Sequence, residues 1–373
     1  MQVEDNRVLV PLRVSGPNGR SEVVRFWVDS GGDSVFLSGA LAHELGLGAA
    51  GAPFTAMGDT PSHAIDKPRL AIGGMDIDLG HTSVDAPISE KSRDVFAGVS
   101  AGGFLPASVL SHYDVVFDYP GRRFTLAVSG HPAHRGTPVS MSVQSKTGFV
   151  RIEIAVDGQP YGFMLDTGAA YTGVSRIVMD RWIGDHPSWP HSVGALGAAN
   201  MVGKQFDVTN ELLRVPEMKW GPIRLHNVGM VSRPAGVYEK FVSEDMTGPI
   251  VGALAGNVLR QFRLDLDYPD GMAYLAQDRL NVSSDLNCVG LIVRVNEDGV
   301  VVVSGVARRN GHPEIRGVQA EDVLLRIGNH DVTGASLATI LKYLSGPPGE
   351  TKRLTIRRGT QELSVSATVF PHP

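Results

Sequence analysis

Phe26-Trp27-Val28-Asp29-Ser30-Gly31-Gly32 and Phe163-Met164-Leu165-Asp166-Thr167-Gly168-Ala169 carry one pattern at two places. Three apolar residues run into an Asp, a small hydroxyl residue follows, and Gly comes next. A buried strand written this way delivers a carboxylate to its end, where Gly lets the backbone turn sharply. A single Asp-Ser-Gly or Asp-Thr-Gly is an ordinary turn signal. The second copy gives it weight, because the surroundings repeat as well.

An offset of 137 carries Asp29 to Asp166, Ser38 to Ser175, Leu41 to Val178 and Leu45 to Trp182. The last three lie in short helical patterns that open on a Ser suited to capping. Further on, Leu110-Ser111-His112-Tyr113-Asp114-Val115-Val116-Phe117-Asp118-Tyr119-Pro120 pairs with Leu259 to Pro269 at an offset of 149. The chain is an internal duplication whose later copy holds 12 extra residues. Each copy opens on an alternating strand and a turn: Val8, Val10, Leu12 and Val14 before Gly16-Pro17-Asn18-Gly19, and Val150, Ile152, Ile154 and Val156 before Asp157-Gly158-Gln159-Pro160. Asp118 and Asp267, in the repeated Asp-Tyr-Pro, read as turn residues. Val128 to Ser140, rich in His, Pro and Gly, reads as a linker.

On these motifs the region from about residue 7 to 278 resembles bacterial retropepsin-like aspartyl proteases. The resemblance implies a mainly β fold: two tandem retropepsin-like β-barrel lobes, residues 1–130 and 131–280, forming a pepsin-like bilobal unit. It makes Asp29 and Asp166 the catalytic residues of an aspartic endopeptidase, supported by Ser30, Gly31, Thr167 and Gly168. It places substrate-covering flaps at Met57-Gly58-Asp59 and at Ala195-Leu196-Gly197. The family's apolar-apolar-Gly segment is matched by Gly103-Phe104-Leu105-Pro106 and Gly252-Ala253-Leu254-Ala255, with Pro106 and Ala255 in place of the final Gly. Two carboxylates about 3 Å apart repel by roughly 5 kcal/mol at an effective dielectric near 20. Such a pair holds one proton between its members, so that one can take a proton from water while the other gives one to a carbonyl oxygen. Pepsin-like enzymes have a hydroxyl three residues after each Asp, where this chain has Gly32 and Ala169; the loss implies activity reaching weakly acid or neutral pH.

From about Asn281 the pattern changes. Val318-Gln319-Ala320-Glu321-Asp322-Val323-Leu324-Leu325-Arg326-Ile327-Gly328-Asn329, followed by the amphipathic Leu337–Leu344, resembles a bacterial PDZ domain, a small α+β unit over residues 281–373. The resemblance makes Val289-Gly290-Leu291-Ile292 a carboxylate-binding loop, with Leu337 and Leu341 lining a groove for an added peptide strand. The expected partners are polypeptide substrates and a C-terminal peptide at the PDZ domain. The alternative function is a protein that holds peptides in the same cleft and groove without cleaving them.

Composition sets the outer limits. Of 373 residues, 42% are apolar and 20% charged, which is ordinary globular material, and a net charge of −5 with pI near 6.2 argues against a nucleic-acid partner. Cys288 stands alone, so no intramolecular disulfide forms. The twelve His show no HExxH spacing, and neither metal nor other cofactor is expected. No apolar run reaches membrane-spanning length, and Met1-Gln2-Val3-Glu4-Asp5 lacks the features of a leader. A monomer is expected, and the PDZ resemblance favours a periplasmic or secreted location. Gly46-Leu47-Gly48-Ala49-Ala50-Gly51 follows a helix instead of a strand, which argues against a dinucleotide loop.

Overall fold

The alternation at Val8, Val10, Leu12 and Val14 forms one strand, Arg7–Ser15, with all of these side chains buried. It turns at Gly16–Gly19 into Ser21–Asp29, its antiparallel partner. The computed structural model describes residues 1–56, 60–89, 101–128, 134–201, 205–277, 286–296 and 298–373. The protein is mainly β and contains a barrel.

In the first copy, Gly103–Pro106 runs parallel to Ser21–Asp29, with Gly103 opposite Phe26 and Pro106 opposite Asp29. In the second copy, Gly252–Leu254 runs parallel to Gln159–Leu165, with Gly252 opposite Phe163. Pro106 and Ala255 therefore leave the backbone path of both copies alike. The second sheet closes on itself. Its ring runs through Val150–Val156, Gln159–Leu165, Gly252–Leu254, Thr172–Ser175, Ile223–Arg233 and Glu211–Trp220, then returns through the pairing of Ile154 with Trp220. Ser38 caps the helix Gly39–Glu44 and Ser175 caps Arg176–Asp185.

Gly103 and Gly252 repeat for a steric reason. A Cβ on Gly252 would lie 2.4 Å from the Gly173 carbonyl oxygen and 2.6 Å from the Phe163 ring. One on Gly103 would lie 2.8 Å from the Phe26 ring and from the Phe36 carbonyl oxygen. Backbone cannot yield as a flexible side chain can, so Gly252→Ala is expected to cost about 1–3 kcal/mol. A urea midpoint unchanged from wild type would show that this contact is not tight.

The two copies meet in a five-stranded sheet. Tyr113–Asp118 pairs with Arg123–Val128 on one side and with Phe262–Asp267 of the second copy on the other. Met272–Gln277 and then Thr137–Ser140 extend it. This corrects the linker reading: Thr137–Ser140 is a strand of the shared sheet, with Val139 buried in it. Pro and Gly marked a chain break there, but a sheet edge tolerates Pro138. Val115, Phe117, Leu264 and Leu266 belong to one apolar core that spans both copies.

The C-terminal region has its own core and a six-stranded sheet, with Leu291–Val295 at one edge and the helix Leu337–Leu344 packed beside it. Its hairpin of Arg308–Arg309 and His312–Pro313 leaves that sheet and joins the barrel sheet, with Arg308 opposite Val193. No helix among the described residues is long and apolar enough to cross a membrane.

Candidate active site

Asp29 ends the strand Ser21–Asp29, and Asp166 follows Gln159–Leu165; both strands are fixed by parallel neighbours. The turns after them interlock. The Ser30 amide donates to Thr167 Oγ1 (3.0 Å), and the Thr167 amide donates to Ser30 Oγ (2.9 Å). Each hydroxyl then donates onward, Ser30 to the Leu165 carbonyl (2.8 Å) and Thr167 to the Val28 carbonyl (2.9 Å). Both side chains are fully buried, so these four bonds form where water cannot replace them.

The interlock brings the two carboxyls within hydrogen-bond reach of each other. Gly31 and Gly168 make this possible. A Cβ on Gly168 would stand 2.2 Å from Asp29 Oδ1, and one on Gly31 would stand 3.0 Å from Asp166 Oδ1. Both carboxyls are half-buried.

Their surroundings differ. Asp166 Oδ1 accepts from the Gly168 and Ala169 amides, each at 2.9 Å. Asp29 Oδ1 accepts from the Gly31 amide at 2.8 Å, while the Gly32 amide is turned to the Asp29 backbone carbonyl. The backbone amide of Ala169 thus supplies a donor to the anion where a side-chain hydroxyl is missing. Burial first, and then the charge of Asp166, push Asp29 up to about 8. Burial also raises Asp166, against the lowering pull of its two amide bonds. Asp166 accepts two amide bonds and Asp29 one, so the amides favour the charged form of Asp166 more than that of Asp29, and the pair shares one proton between its members. A pair in this state can accept a proton on one oxygen and donate one from another.

Arg7 was missing from the sequence reading. It is buried, stacks its guanidinium 5.1 Å from the Trp27 ring centroid, and pulls both carboxyls downward. The strand register places it there: Val8 opposite Val28 puts Arg7 across from Asp29. Next to it, Asn6 Nδ2 donates to the Ala170 carbonyl (3.0 Å) and Asn6 Oδ1 accepts from Arg260 (3.0 Å), tying the first copy to the second beside the pair.

The other expected site residues lie elsewhere. Met57, Gly58 and Asp59 fall outside the described residues. Ala195 and Leu196 are fully buried and pack with Leu286, Cys288 and Ile292, so this segment is a packed contact and not a free cover; Gly197 opens its helical turn. The apolar Leu196 among small residues fits a close-packed contact as well as a mobile tip. Val289, Leu291, Ile292, Leu337 and Leu341 are buried, and the backbone at Gly290 is covered by Glu314.

No family model matches the chain. Comparison with curated proteins finds a relative in Staphylococcus haemolyticus named "Probable CtpA-like serine protease", 28% identical over 85 residues. The match takes in 23% of this chain and 17% of the relative's length. That name overturns the expectation of a retropepsin-like aspartic endopeptidase, which is not carried forward. The difference is chemical, since serine proteases attack with an enzyme hydroxyl and aspartic ones with water held by carboxyls. The matched stretch is shorter than the 137 residues between Asp29 and Asp166, so it contains at most one of them. Several serine hydroxyls of the two copies are committed to other bonds: Ser30 to Leu165, Ser108 to the Asp33 carbonyl (2.8 Å), and Ser175 to Glu239.

Proposed function

We propose that this chain is a protease, of the serine type its relative's name carries, with a candidate site where Asp29 and Asp166 meet. In this reading, residues 1–130 and 131–280 are two β lobes sharing one cleft, and residues 281–373 are a PDZ-like domain that takes polypeptide. The relative's name supports proteolysis in general. The observation that carries the site is the pair itself: two half-buried carboxyls in hydrogen-bond reach, held by four buried bonds from Ser30 and Thr167. Gly31 and Gly168 keep the space between the carboxyls open.

The test is hydrolysis of unfolded casein by the full chain at pH 4 to 8, beside Asp166→Asn and beside a sample treated with a fluorophosphonate. Labelling of a serine and loss of cleavage are expected with the fluorophosphonate, and a fall of about 10²–10⁴-fold in Asp166→Asn would add the pair as a positioned acid–base group. Cleavage that survives fluorophosphonate treatment would refute the serine type, and a variant as active as wild type would leave the pair out of the chemistry. Binding of casein without cleavage by the wild-type chain would refute the protease reading itself.

A further inference from the structure

The groove beside the strand Leu291–Val295 is filled by another part of the same chain. That strand is an edge strand, and an edge offers unpaired backbone groups to an added strand. Here the turn Gly197–Ala199 packs against the helix Leu337–Leu344 on the other side of the groove. Asn200 Nδ2 donates to the Val293 carbonyl of the edge strand (3.1 Å), in a buried bond. Leu196 is fully buried in a cluster that includes Ile292 and Cys288. Gly194 has φ 110 and lies so close that a Cβ there would stand 2.8 Å from Ile292 Cδ1. A side-chain amide on an edge carbonyl, with a large apolar residue beside it, resembles the contacts of a bound peptide.

The loop at the end of the groove is not free to receive a chain terminus. A Cβ on Gly290 would lie 2.4 Å from Glu314 Oε2, and the Glu314 side chain is 5% exposed. Its Oε1 is taken by Arg309 Nε (3.1 Å), while His372 Nε2 stands 3.5 Å from Oε2. Burial holds His372 down to about 4, so at neutral pH it brings no positive charge. A second carboxylate placed against Glu314 would be repelled in a poorly solvated site.

We infer that residues 194–200 are the resident occupant of this groove, and that an outside polypeptide enters only by displacing them, as an internal stretch with a large apolar residue among small ones. The inference rests on the PDZ-like reading of residues 281–373. An occupied groove lowers the apparent affinity of any outside ligand by the fraction of time it is open.

The probe is a fluorescein-labelled peptide, Gly-Ala-Leu-Gly-Ala-Ala-Asn-Met, amidated or with a free C-terminal carboxylate. It is titrated onto the full chain, onto the double variant Leu196→Ser/Asn200→Ala, and onto that variant with Leu341→Ser added. The double variant is expected to bind the amidated peptide at least about tenfold more tightly than wild type, and Leu341→Ser to reverse the gain. On the wild-type chain, saturating peptide is expected to speed hydrogen exchange across residues 194–200, a readout that needs no variant. Equal affinity for wild type and double variant, with binding still weakened by Leu341→Ser and no change in exchange, would overturn the resident-occupant inference and leave the groove in place. Binding indifferent to Leu341→Ser would overturn the PDZ-like groove. Tenfold tighter binding of the free acid than of the amide would overturn the preference for an internal stretch.

Discussion

Asp29→Asn is expected to make the protein more stable at neutral pH. Burial and the charge of Asp166 raise the Asp29 carboxyl from 3.8 to about 8. An unfolded chain releases this proton near pH 4, whereas the folded chain keeps it until about pH 8. Folding in that window therefore takes up a proton. The stability this group contributes is complete below the unfolded value and is lost as pH rises through the window, at no more than about 1.4 kcal/mol per pH unit. Asn has no proton to give up, and its amide can still donate to Asp166. The variant should therefore gain on the order of 2 kcal/mol or more at pH 7 and show a flatter fall in melting temperature between pH 5 and 8. Thermal unfolding of both proteins across that range checks it. A variant no more stable than wild type at pH 7, with the same slope, would mean that Asp29 is ionised without penalty in the folded chain.

The opposite sign is expected at Thr167. Thr167→Val keeps the side chain's shape but removes the acceptor of the Ser30 amide and the donor to the Val28 carbonyl. Both groups lose this buried partner, at about 1–3 kcal/mol each, for a total of about 2–6 kcal/mol. Ser30→Ala removes the mirror-image bonds to Thr167 and Leu165. Because each hydroxyl serves the other's turn, the double variant should lose less than the two single losses combined. Urea midpoints for the three variants measure this. A loss below about 1 kcal/mol in Thr167→Val would show that the interlock is not what joins the two turns.

Much of this architecture can be read in the sequence because the duplication repeats physical requirements and not only letters. Asp-Ser-Gly and Asp-Thr-Gly recur where two carboxyls must approach with no Cβ between them. Gly103 and Gly252 recur where one strand threads under another. Ser38 and Ser175 recur as caps. What stayed hidden were contacts between segments far apart in the chain. No local pattern says that Tyr113–Asp118 pairs with Phe262–Asp267, or that Thr137–Ser140 closes the far edge of the same sheet. The glycines and alanines of residues 194–199 suit a mobile tip and a packed turn equally well, and only the partner surface at Ile292 and Leu286 decides between them. Arg7 was obscured because a single charge at the start of an apolar strand is common at surfaces. The protease type was inferred from the duplicated turns by resemblance, and the named relative contradicts it.

The seam between Tyr113–Asp118 and Phe262–Asp267 bears on the ancestry of such a chain. Each strand supplies for the other what a second copy of itself could supply, because the two descend from one repeated segment. A single copy ending after Arg123–Val128, about a third of this chain's length, would leave that flank bare. With both copies in one chain the two acids can differ in their surroundings, two amide bonds at Asp166 against one at Asp29.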